Sequence, residues 1–110
     1  MEAKMLEMAE LLETLINKGE IPPQFDFLLS TEKTKQGYVY QVDNEDVLCF
    51  EKISDYRKSS RQQLSISEVR KNCIVIPLSE IKNIQLINKD NFSEEQVNDV
   101  LTRLYNLLKR

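Results

Sequence analysis

The chain has 110 residues, of which 41% are hydrophobic and 30% charged, enough to build one modest core over residues 1–110 without disulfides or a structural metal. Its net charge of −3 argues against a surface given over entirely to nucleic acid or anionic lipid. Histidine is absent and glycine occurs twice, which removes Ser-His and Cys-His nucleophile pairs, His-ligated metals and glycine-rich phosphate loops.

Residues 2 to 18 carry Met5, Met8, Ala9, Leu12, Leu15 and Ile16 at three- and four-residue steps, and Gly19 is placed to end the turn. This predicts an amphipathic helix, and Leu6 and Leu11 widen its apolar face toward a second contact, either the sheet or a partner. Pro22 and Pro23 forbid continuation. The run from Phe25 to Ser30 is too short for periodicity to separate strand from helix, and an edge strand is the expectation. Tyr38 to Val42 and Val47 to Ile53, joined by Asp43-Asn44-Glu45-Asp46, predict a β-hairpin.

From Ser54 to Gln63 only Tyr56 is apolar, and Leu64, Ile66 and Val69 suit either alternation or a helical turn. A mobile loop leading into a strand is expected for residues 54 to 72. Cys73 to Ile76, closed by Pro77, and Ile84 to Ile87 predict two further strands with Leu78 to Ile81 as a tight connection. Ser93 with Gln96 three positions later marks a helix start, followed by Val97, Val100, Leu101, Leu104, Leu107 and Leu108, with Lys109 and Arg110 at the end. The expected architecture is α+β: a small antiparallel sheet of four to six strands, bracketed by N- and C-terminal amphipathic helices packed on one face.

The segment Ile74-Val75-Ile76-Pro77-Leu78-Ser79-Glu80-Ile81-Lys82-Asn83-Ile84-Gln85-Leu86 is similar to the strand-turn-strand of small β-barrels of the pleckstrin-homology or Sm-like kind. The resemblance covers 13 residues. It implies an alternative fold, a small barrel plugged by the terminal helix, and carries over no functional residue.

Apolar runs such as Cys73 to Ile76 fall far short of the roughly 20 residues that span a bilayer, and Met1-Glu2-Ala3-Lys4 does not open a secretory signal. A soluble cytoplasmic protein without membrane contact is expected. Cys49 and Cys73 lack metal or redox spacing, and two buried free thiols are expected rather than a pair. Asp43, Glu45 and Asp46 provide too few spaced ligands for a cation and suit an exposed turn; no metal or cofactor is expected.

Charge is uneven. Residues 1–51 hold four basic and eleven acidic side chains, whereas residues 52–71 hold six basic and two acidic. Arg57, Lys58, Arg61, Arg70 and Lys71, beside Tyr56, are therefore the candidates for gripping phosphates or an acidic protein surface. Leu6 and Leu11, with Tyr105, are the candidates for an apolar patch that meets another protein or a second copy in a homodimer. No catalytic set assembles, and the expected function is that of a small non-enzymatic accessory or adaptor protein that binds another protein. Binding of nucleic acid or an acidic surface through residues 52–71 is the alternative.

Overall fold

The computed structural model describes residues 2–16 and 21–110, so the Gly19 stop signal lies outside the described residues. Among the described residues, four helices and five strands follow one another as α1 (Ala3–Ile16), β1 (Gln24–Leu29), β2 (Thr34–Asp43), β3 (Asp46–Phe50), α2 (Ile53–Gln62), α3 (Ile66–Asn72), β4 (Ile74–Pro77), β5 (Ile81–Leu86) and α4 (Glu94–Leu108). The strands form one antiparallel sheet in the order β4-β3-β2-β1-β5. The fold is α+β, as the periodicities predict. The barrel alternative does not hold: β4 and β5 stand at opposite edges of an open sheet and do not pair.

Strict alternation in β1 sends Phe25, Phe27 and Leu29 to one face, where Val39, Val47, Cys49, Ile76, Ile84 and Leu86 join them from the other strands. On this face lie α1 and α4, which pack on each other and on the sheet. Met8, Leu12 and Leu15 of α1 interleave with Val97, Val100, Leu101, Leu104 and Leu107 of α4, completing the main core. Burial of these side chains, each stabilising by roughly 1.5–3 kcal/mol, is the main force that holds the helices to the sheet. Ser93 occupies the N-cap of α4 as expected, although its side chain makes no capping hydrogen bond.

The terminal helices share one face as expected, but the loop and strand expected at residues 54–72 do not form. These residues form α2 and α3, which cover the opposite face through a second cluster of Leu48, Phe50 and Val69, with Tyr40, Tyr56, Leu64 and Val75 packed against it. Helix α2 escapes periodicity because its inward side carries only Ile53, Tyr56 and the small, buried Ser59. Gln63 takes a left-handed conformation (φ 50°) that ends α2, and Ser65 caps α3. The Ser65 hydroxyl accepts from the Glu68 amide and donates to the Glu68 carboxylate at 3.0 Å, a local version of the Ser-x-x-Glu capping pattern.

Strand β2 is the longest and carries an irregularity between Val39 and Gln41, which leaves Tyr40 on the second face and returns Val42 to the main core. The Tyr40 ring meets Phe50 and Tyr56 edge-on, each with centroids 5.6 Å away. Gly37 is buried where a Cβ would fall 2.7 Å from the Cys49 Cβ and 3.3 Å from the Phe50 carbonyl, so close strand approach requires glycine here. The hairpin turn pairs Asp43 with Asp46, and Asn44 supplies the positive φ of 54°. At the far end of β5, Asn88 accepts from the Gln24 amide at 2.9 Å and donates to the Pro22 carbonyl at 3.0 Å, fastening β5 to the start of β1.

Candidate interaction sites

The structure separates the basic residues of the 52–71 segment. Arg57, Lys58 and Arg61 lie exposed on α2, because the other side of that helix faces the sheet. Lys71 is exposed near the end of α3. Arg70 is not available for a ligand: its Nε and Nη2 donate to the Asp43 carboxylate at 3.1 and 2.8 Å and its Nη1 to Asp46 at 3.0 Å. These charge-assisted bonds raise the Arg70 pKa further and tie α3 to the β2–β3 turn. The Asp43 and Asp46 carboxylates thereby have a partner within the fold, and no cluster of metal-binding side chains occurs among the described residues. Tyr56, expected as a platform for a base, is instead half-buried against Tyr40, and this burial raises its phenol pKa.

The apolar candidates also part company. Leu11 is 8% exposed and belongs to the main core, whereas Leu6 is 49% exposed on the outer side of α1. The patch expected around both does not form, since Leu11 faces inward. Tyr105 is half-buried on α4. Cys49 and Cys73 are both free thiols. They sit in the main core and beside the second cluster respectively, on opposite faces of the sheet. Burial pushes both thiols above their ordinary value, so neither has the thiolate character of a nucleophile.

A site that sequence pattern did not indicate lies along the free edge of β5. Here a groove of about 610 Å³ runs between the strand and the last turns of α4. Ile84 and Leu28 contribute apolar surface from the sheet, and Tyr105 and Leu108 form the helical wall. Lys82, Lys89 and Lys109 also line it and no carboxylate does, in a chain whose net charge is negative. Lys82 pairs with Glu32 from outside the groove, both side chains being largely exposed. Lys89 and Lys109 make no ion pair among the described residues.

The backbone of this edge is defined by its pairing with β1. The Ile87 amide donates to the Gln24 carbonyl at 2.8 Å, and antiparallel alternation then directs Gln85 and Asn83 toward β1 and the amides and carbonyls of Ile84 and Leu86 toward the free edge, where Ile84 lines the groove. The Ile84 amide is met there by the Asn83 side-chain oxygen at 2.9 Å. The opposite edge, β4, is only four residues long and ends in Pro77, which has no amide to offer.

No helix among the described residues is long and apolar enough to cross a membrane. No protein-family model, curated protein or solved structure matches the chain.

Proposed function

We propose that this is an accessory protein without catalytic activity, acting by docking on another protein through the groove between β5 and α4. The observation that carries the reading is the coincidence, at one place, of an unpaired strand edge, an apolar helical wall and three lysines with no lining carboxylate. Edges of this kind are normally shortened, bulged or covered, because they recruit other chains; β5 carries one such irregularity at Lys82, and its regular part runs from Asn83 to Leu86. Here Asn88 holds the strand in place, so the edge is presented rigidly.

The test compares the native protein with a Lys89→Glu/Lys109→Glu variant as bait in extract from its source, with nuclease present. A protein recovered in stoichiometric amount by the native chain and lost from the variant supports the reading. Equal recovery by both, or recovery by neither, refutes it.

A second reading rests on Arg57, Lys58 and Arg61 sharing the outer face of α2, where they suit an acidic surface or nucleic-acid phosphates. Its test is Arg57→Glu/Lys58→Glu/Arg61→Glu in the same assay without nuclease. A nucleic acid retained by the native chain and lost from this triple variant would move the function to α2.

A further inference from the structure

Resting on the groove as the docking site, we infer that its occupant is an extended acidic segment of a partner protein, which adds to β5 as a sixth antiparallel or parallel strand of the sheet. Three observations select this occupant. Ile84 and Leu86 turn their main-chain groups to the free edge of β5, Ile84 within the groove, and main-chain groups are matched most fully by another extended chain. The regular part of β5, Asn83 to Leu86, suits an extended segment of about the same length, roughly 13 Å. The lining charges are all positive, so the incoming segment gains by carrying Asp or Glu among its apolar residues.

The same charges argue against a second copy of this chain. Two-fold pairing of β5 with β5 would bring two lysine-lined grooves together with no carboxylate in either lining to offset them, and like charges gathered at an interface are repulsive. Asn83 has a defined part in the process. Its side-chain oxygen already accepts from the Ile84 amide, the position that a carbonyl of the added strand takes over. Asn83 therefore acts as a removable cap, protecting the edge until a strand displaces it.

The experiment uses the full chain, labelled with ¹⁵N, titrated with three synthetic decapeptides that alternate valine with glutamate, glutamine or lysine. The glutamate peptide is expected to shift the amide signals of Ile84 and Leu86, to slow their hydrogen exchange, and to bind more weakly as salt rises. A version N-methylated on alternate amides keeps its charge but loses donors and is expected to bind at least about tenfold more weakly. Asn83→Ala removes the competing acceptor and is expected to tighten binding about threefold, which simple ion attraction does not do.

Failure of the glutamate peptide to bind at millimolar concentration, equal binding of the lysine peptide, or indifference to N-methylation overturns strand addition. If a partner captured from extract still depends on Lys89 and Lys109 while the peptides fail, the strand mode is wrong and the docking site stands. If that dependence is also missing, both fall.

Discussion

Replacing Gly37 with alanine tests how closely β2 and β3 approach each other. The added Cβ would lie 2.7 Å from the Cys49 Cβ, an atom fixed to the backbone of the neighbouring strand, and 3.3 Å from the Phe50 carbonyl oxygen. Neither neighbour is the tip of a flexible side chain, so relief requires the strands to separate. Overpacking of this kind destabilises by about 1–3 kcal/mol. Against it stands a gain of about 0.4–1 kcal/mol, because alanine restricts the unfolded chain and no described glycine has the positive φ that would forbid it. The expected net loss is about 1–2 kcal/mol. With a urea slope of about 1.5 kcal/mol per molar, the unfolding midpoint falls by roughly 1 M. A double-mutant cycle locates the cause: Cys49→Gly removes the clashing Cβ and should recover about 1 kcal/mol of the Gly37→Ala loss, whereas Cys49→Ala retains the Cβ and should recover little. A Gly37→Ala variant as stable as the native chain would refute the argument.

The two leucines of α1 should separate sharply in urea unfolding, Leu11→Ala losing about 2–4 kcal/mol through the cavity it leaves and Leu6→Ala remaining within about 0.5 kcal/mol. Similar losses at both positions would contradict their burial. Alkaline pH should destabilise the fold, since Cys49 is held protonated by burial, with a smaller contribution from neighbouring Cys73. Its folded pKa lies above the ordinary 9.0, so the contribution is fully present below pH 9 and is lost as pH rises beyond it, at about 1.4 kcal/mol per pH unit. Unfolding followed from pH 7 to pH 10.5 should show this slope in the native chain and a shallower one in Cys49→Ala; equal slopes would assign the loss elsewhere.

The terminal helices and the central strands were open to reading in the sequence because each buries one face on a single core. Three- and four-residue spacing in Met8, Leu12 and Leu15, and alternation in Phe25, Phe27 and Leu29, follow directly from that burial. Helix α2 was hidden because it covers only part of the second face and needs few apolar residues to do so. Helix α3 did leave a signal in Ser65-Ile66-Ser67-Glu68, a capping pattern whose weight was masked by the ambiguous alternation of Leu64 and Ile66. The groove along β5 left none, since Lys82, Lys89 and Lys109 are scattered in sequence and meet only because α4 returns beside the last strand. Arg70 shows the reverse error: a cation that looks free in a basic run is engaged by two carboxylates 27 and 24 residues away.

The second-face helices have one more consequence. Strands β3 and β4 are neighbours in the sheet, yet α2 and α3 are inserted between them in sequence. The pair is thus an excursion rather than a crossover, anchored by a small cluster of its own and by the Arg70 clamp. Lifting it leaves the main-face packing of α1 and α4 untouched. The excursion over residues 53–72 is expected to open below the free energy of global unfolding and to bare the Leu48 and Phe50 side of the sheet, which native-state hydrogen exchange checks as faster exchange in α2 and α3 than in α1 and α4.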